Sequence, residues 1–409
     1  MSGRSLPRVL AVMPRVIPST VIGVIKPLTL LHRQQRIVAD LTLEYIVSHR
    51  QVTAADVIVF CRNVEAAHHH ALHWARDLGK PIIYELDDDL LDLPASVEAE
   101  PDHQRARQLR EYLVSANRVR VYSERLREKI SALNPNVTRV DGPVDWTLIP
   151  RAPPQKKSNR VRIVYATSRI VDDLANIFVD DVLQLLNEFP NQIELTLWGC
   201  RPEKLIHHPA VCTRAFVTNY DQFFSQFARA GFDIGLAPLL SDSFYLAKSN
   251  NKFREYAACR IAGVYSNVAV YSDCVRDGAT GLIVPNARGA WFTALARLVR
   301  DVELREHIQT HAQSFAREHY DQDLFARVWL DHIQQAMTTP VVASANTRAS
   351  QVQLPRGGHP FFKLVARVPR LVLRFFQSIR ARGARRSLEM VRWTLNDLSI
   401  LAWKWLRHG

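Results

Sequence analysis

The chain has 409 residues, 47 % of them hydrophobic and 23 % charged, and a formal net charge of +13. Those figures suit two globular domains of ordinary size plus an extension, and exclude a disordered chain. No apolar run reaches the roughly 18 residues that a membrane-spanning helix needs, and five scattered cysteines without a Cys-x-x-Cys pair speak for a reduced, cytosolic interior rather than a disulfide scaffold.

Arg8 to Met13 reads as a first strand and the segment after Pro18 as a helix, the opening of a doubly wound α/β domain. The apolar run from Val9 to Ile25 is broken by Pro14, Arg15 and Pro18 and lacks a small-residue cleavage site, so no secretory signal is expected. Strands follow near residues 36–43 and 56–60, then a helix over 64–78 that Gly79 and Pro81 stop. This helix carries His68, His69, His70 and His73. His69 and His73, four apart, can share a zinc ion, but no third ligand is evident nearby, and a surface histidine cluster is the expected reading.

Pro81 to Glu85 is the fourth strand, and Asp87, Asp88 and Asp89 stand at its carboxyl end. In open α/β sheets that edge faces the ligand crevice. Three adjacent carboxylates repel, which predicts a raised pKa for at least one and a use as base or hydrogen-bond acceptor. The alternative is a solvated turn with one aspartate capping the next helix. A helix over 105–117, a strand over 118–122, a helix over 123–133 with Ser123 as its cap and a strand over 137–140 complete the first domain, residues 1–149. Residues 150–160, rich in proline and lysine, read as a linker.

The second domain, 161–338, opens with a strand over 161–166, the loop Thr167-Ser168-Arg169 and a helix over 172–189. Hydroxyls and an arginine in such a loop can hold phosphate oxygens; the bland reading of Arg169 is a plain surface side chain. Strands over 193–198, 213–217 and 233–237 follow, with a helix over 220–230. A further helix is expected from Ser249 to Arg260. On it Lys248, Lys252 and Glu255 fall at positions 0, 4 and 7, within roughly 60° of one another. Ammonium groups at a positive helix N-terminus suit a diphosphate, and Glu255 can accept hydrogen bonds from two adjacent hydroxyls such as those of a ribose. A solvated helix face is the alternative. Short strands near 263–266 and 281–284 and helices over 290–300, 303–319 and 321–337 close the body.

From Asp233 to Trp291 the residues resemble the donor-binding half of family 4 glycosyltransferases. The likeness lies in Ala247-Lys248-Ser249, Lys252, Glu255-Tyr256-Ala257-Ala258, Tyr271, Gly278, Thr280-Gly281-Leu282, Val284 and Trp291, and extends more thinly from about Val9 to Met337. The resemblance implies a GT-B fold, α/β, with two Rossmann-like doubly wound domains facing a central cleft. It also implies transfer of a sugar, with retention and without a metal ion or other cofactor, from a nucleoside-diphosphate sugar to a hydroxyl of a glycan or lipid-linked acceptor, a hexosyltransferase-like activity in cell-surface polysaccharide synthesis. Lys248, Ser249, Lys252 and Glu255, with Thr167 and Arg169, are then the donor site. Asp88, supported by Asp87 and Asp89, faces the acceptor, and Lys252 stabilises the departing diphosphate. The Gly142-Pro143-Val144-Asp145 run is similar to the family's crossover between domains, and the last helix of the body is expected to cross back onto the first domain. One position departs: a glutamate that contacts the donor sugar in the family is Ala247 here.

The aspartate trio also suits the metal-chelating motif of GT-A enzymes, but that fold binds its donor in the first half, whereas here a separate second half carries the donor motif. A non-catalytic nucleotide-sugar binder or membrane scaffold on the same fold is favoured by Ala247. An epimerase or a phosphorylase is the other enzyme reading, and the pyridoxal-lysine motif of a phosphorylase is not found.

Residues 339–409 form a spacer and a basic tail. From 346 onward thirteen Lys and Arg face Glu389 and Asp397, a net of +11, so residues 1–345 carry only +2. Phe361, Val365, Val368, Val372, Phe375 and Ile379 recur at helical spacing beside Lys363, Arg367, Arg370 and Arg374, with a break at Pro369. A second run uses Leu388, Val391, Leu395, Leu398, Ala402 and Trp405. Basic amphipathic helices without a spanning run suit an anionic membrane surface, here the inner face of the cell membrane. A dimerising or partner-binding helical hairpin is the alternative, and no nucleic-acid reader motif accompanies the charge. The full chain is expected to float with phosphatidylserine-containing liposomes while a chain ending at Ala345 does not; equal flotation of the two would remove the tail from membrane binding.

Overall fold

The computed structural model describes residues 5–93, 103–152, 154, 159–168 and 173–339. Arg169, part of the linker and the basic tail lie outside the described residues.

Two parallel sheets, each of six strands, organise the fold. In the first, β1 (Arg8–Met13), β2 (Val38–Leu43), β3 (Val57–Cys61), β4 (Ile82–Leu86), β5 (Arg118–Val121) and β6 (Val137–Arg139) take the order β2-β1-β3-β4-β5-β6. In the second, β7 (Val161–Ala166), β8 (Ile193–Trp198), β9 (Val211–Arg214), β10 (Ile234–Ala237), β11 (Ala262–Ser266) and β12 (Leu282–Val284) take the order β12-β11-β10-β7-β8-β9. Strands such as Val-Ile-Val-Phe-Cys are buried along their whole length, because helices cover both faces of a parallel sheet and leave no solvated side to alternate toward. The strand order reverses between β1 and β3 and between β7 and β10. At such switch points the loops diverge and leave a crevice beyond the carboxyl ends.

The two halves are locked by the last helix among the described residues, Gln322–Thr338, which follows the second sheet and lies on the first. Trp329 donates its indole N–H to the carbonyl of Gly23 at 2.8 Å, within a π-helical segment, Val21–Ile25, of the first long helix. Beneath it Arg120, with no exposed surface, donates to Glu85 at 2.6 Å and to Nδ1 of His332 at 2.7 Å. Its guanidinium stands 3.9 Å from the Trp329 ring. Burial, with the charges of Arg120 and Arg118, lowers the His332 pKa to about 3, so a neutral imidazole accepts that bond. At the crossover Arg254 donates to the Pro143 carbonyl at 3.0 Å, and a Cβ at Gly142 would collide with the same guanidinium. Lys26 joins Asp145 there and reaches Asp221 of the second half at 2.7 Å.

The carboxyl edge of the first sheet holds a buried polar group that sequence patterning does not reveal. Glu44, 3 % exposed just past β2, accepts from Nδ2 of Asn63 at 2.7 Å. Asn63 is fixed in turn by the Cys61 N–H on its Oδ1 and the Tyr84 hydroxyl on its carbonyl. Burial, opposed by the Asn63 bond and aided by Glu65, raises the Glu44 pKa to about 7 from 4.5. An acid with a raised folded-state pKa is stable in its protonated form and loses stability as pH climbs through the folded value; the full shift corresponds to roughly 3 kcal/mol. Glu44→Gln keeps the acceptor for Asn63 and is expected to raise Tm at pH 8.5, with the gain shrinking as pH falls through 7 toward 4.5. A gain that is the same at pH 5 and pH 8.5 would contradict the ionisation argument.

Candidate functional site between the two sheets

β10 runs out at Ala237 and the chain makes a short helix, Ser243–Leu246, capped by Asp242, whose carboxylate accepts from the Phe244 and Tyr245 N–H groups. The next helix is Asn251–Ala258, later and shorter than the expected 249–260, and its cap position is Asn250 rather than Ser249. Lys248 therefore precedes the helix instead of sharing its stripe with Lys252 and Glu255. The reason lies in Asn250 and Arg254: Oδ1 of Asn250 accepts from Nε of Arg254 at 2.9 Å, its amide donates to the Tyr320 hydroxyl at 3.1 Å, and the loop is held open.

Released from the helix, Lys248 crosses to the first domain. Its Nζ lies 2.9 Å from Oδ1 of Asp88 and 4.3 Å from the Phe244 ring centroid. In the first turn of the helix, Lys252 stands 3.4 Å from Oε2 of Glu255, both side chains mostly covered. Ser249 is half-buried beside them in the same loop. The helix is anchored from behind by Tyr256, whose hydroxyl donates to the Leu236 carbonyl at 2.7 Å. Lys248, Lys252 and Glu255 thus belong to one rigid ledge, with Lys248 touching the acidic loop.

The aspartate trio does not act as three equivalent carboxylates. Asp89 is buried, receives the Leu91 N–H at 3.1 Å and pairs with Lys129, so it anchors the turn. Asp87 pairs with Arg62, and Asp88 is shared by Arg62 at 3.2 Å and Lys248. Burial alone would raise the Asp88 pKa; the charges of Lys248 and Arg62 outweigh it and bring the value to about 2. The expected rise from mutual repulsion is therefore corrected for Asp88: two cations on it decide the sign.

Arg62 is the site residue that the sequence did not single out. It follows β3 at the switch point with φ +59°, a left-handed conformation that non-glycine residues hold only under constraint from their surroundings. Its N–H bonds the Glu85 carbonyl at 3.2 Å, and the unusual backbone turns the guanidinium onto Asp87 and Asp88. The Arg-Asn pair after an apolar strand was the available signal.

In the second sheet, Thr167 follows β7 and lies next to Gly199. Gly199, just after β8, has φ +91°, and a Cβ there would overlap the Thr167 carbonyl, so the turns that follow β7 and β8 make a close backbone approach that requires glycine. Ala247 is 1 % exposed and packs in the apolar cluster of the first domain, while its carbonyl accepts from the Ser123 hydroxyl at 2.8 Å. A glutamate at 247 would drive a charge into that contact. A cavity of about 200 Å³ opens beside it between the domains, lined in part by Ser123, Lys248, Asn250 and Cys274.

No protein-family model matches the sequence, and no curated protein matches it. Solved structures do match in fold. Anabaena Alr3699/HepE, crystallised with UDP and glucose, superposes with a TM-score of 0.59 at 13 % identity over 80 % of this chain and 99 % of its own. A glycosyltransferase from Rickettsia africae gives 0.59 at 12 % identity over 82 % and 100 %. Sucrose-phosphate synthase from Thermosynechococcus elongatus gives 0.59 at 12 % over 80 % and 98 %. Two six-stranded parallel sheets, matched along nearly the full length of those proteins, make this chain a two-domain α/β protein of the GT-B fold.

Proposed function

We propose that the protein transfers a glycosyl group from a nucleoside-diphosphate sugar to a hydroxyl of a glycan or lipid-linked acceptor, with retention, in cell-surface polysaccharide synthesis. The observation that carries this reading is the Lys248 ammonium on Asp88 with Lys252 and Glu255 on the adjoining helix. It brings donor-type cations and an acceptor-side carboxylate to one place. The fold neighbours crystallised with UDP or UDP-glucose support the donor class.

Departure of the nucleoside diphosphate develops negative charge on its terminal oxygens. Lys252, held on its helix before the charge appears, stabilises that state without reorganisation, and Lys248 joins it by exchanging Asp88 for the diphosphate; together they fill the role a divalent metal has in other transferases, and none is required here. Glu255 accepts from the ribose hydroxyls, and Ser249 and Thr167, with Arg169, hold phosphate oxygens. Asp88 accepts a hydrogen bond from the acceptor hydroxyl and orients it. Asp88 keeps Arg62 as its partner and serves to orient the hydroxyl, whose proton leaves with the diphosphate as the C1–O bond to it breaks and the acceptor oxygen bonds to C1. The basic tail holds the enzyme against the anionic membrane that bears a lipid-linked acceptor.

A second reading, a nucleotide-sugar binder without turnover, is favoured by Ala247, buried where a sugar-contacting carboxylate would be needed. A panel of nucleotide sugars scored for both thermal stabilisation and nucleoside-diphosphate release separates the two. One donor is expected to give both signals; stabilisation with no release under any acceptor condition would establish the binder. With that donor, Lys252→Ala should lower turnover by about 100-fold or more with Tm nearly unchanged, and wild-type turnover in the variant would remove Lys252 from the mechanism.

A further inference from the structure

Within the histidine group at 68–73, His69 is not the surface residue that the sequence suggests. His69 is 5 % exposed, and neither of its ring nitrogens makes a hydrogen bond. It caps the helix His70–Asp77, and His73 stands one turn further on, with ring centroids 5.0 Å apart. The third ligand that the sequence did not offer comes from another element: Glu111, on the helix His103–Ser115, places Oε2 3.1 Å from Nε2 of His69. The ligand atoms of His69, His73 and Glu111 all lie within 4.8 Å of one another.

We propose that His69, His73 and Glu111 bind a zinc ion that ties the helix following β3 to the helix following β4. Two imidazoles and a carboxylate are a zinc donor set, which leaves the remaining position to water. Ligands at 2.0–2.1 Å in tetrahedral array stand roughly 3.4 Å apart, so the present spread closes by rotation of His73, which is exposed, and Glu111, which is half-buried. Nε2 of the buried His69 faces Oε2 of Glu111 at 3.1 Å without the geometry of a hydrogen bond; a cation between the two satisfies both. Arg107, 3.8 Å from the other oxygen of Glu111 and itself exposed, is the only competing cation within 4 Å of that carboxylate among the described residues. These two helices flank the segment that bears Asp87–Asp89, so the ion would brace the acceptor-side wall and take no part in the transfer step.

The test is zinc titration of untagged, chelator-treated full-length protein by calorimetry, with cobalt substitution to read coordination from its visible spectrum. One Zn²⁺ per chain, a rise in Tm and a tetrahedral cobalt spectrum are expected. His73→Ala and Glu111→Gln, both outside the core, should weaken binding by about 100-fold. His311→Ala, which removes the other histidine pair one helical turn apart, should leave it unchanged. No binding by the wild type, or equal binding by His73→Ala and Glu111→Gln, would overturn the assignment. Neither readout depends on glycosyl transfer, so the outcome is separate from that of the function proposed above.

Discussion

Arg120 brings a guanidinium to a place without water, and the relative placement of the two sheets depends on how it is satisfied. Glu85 takes one edge, His332 another, and the Trp329 ring covers the face. Its Nη2 makes no hydrogen bond. Two of those partners belong to the helix that returns from the second domain, so leaving it would strip a buried charge of its neighbours. Breaking such an arrangement costs about 3–5 kcal/mol, whereas a partly exposed ion pair such as Lys248 with Asp88 contributes about 1 kcal/mol or less. The first contact therefore sets the geometry, and the second is free to exchange.

That difference bears on the chemistry of the crevice. A diphosphate offers Lys248 more negative charge than Asp88 does, and can draw the ammonium away without disturbing the Arg120 clamp. Asp88 would then keep Arg62 and lose one of the two cations that hold its pKa down. On the proposed function, a donor that takes Lys248 would thus change the environment of the carboxylate opposite it through that one shared lysine.

Much of this was legible in the sequence, and the failures have physical causes. Strand and helix order followed from apolar runs and caps; Ser123, for instance, caps its helix by accepting from the Leu126 N–H. The motif around Lys248, Lys252 and Glu255 located the ledge, but helical periodicity placed Lys248 on it as a third stripe member. It could not register that Asn250 and Arg254 bond each other and delay the helix. Charge counting treated Asp87, Asp88 and Asp89 alike, because pairing partners on other elements, Arg62, Lys248 and Lys129, are invisible along the chain. Arg62 and Glu111 were missed for the same reason: each acquires its meaning from a residue many positions away. The buried His69 shows the converse error, in which local polarity was read as exposure.

The central claim is that the ledge formed by Lys248, Lys252 and Glu255 receives the diphosphate and ribose of a sugar nucleotide, opposite Asp88. A crystal structure of the full chain with a nucleoside diphosphate tests it most directly. Phosphate oxygens are expected within hydrogen-bond distance of the Lys248 and Lys252 ammonium groups, with the ribose hydroxyls on Glu255 and Lys248 drawn off Asp88. A nucleotide bound elsewhere, with Lys252 turned to solvent and the Lys248 pair with Asp88 undisturbed, would contradict it.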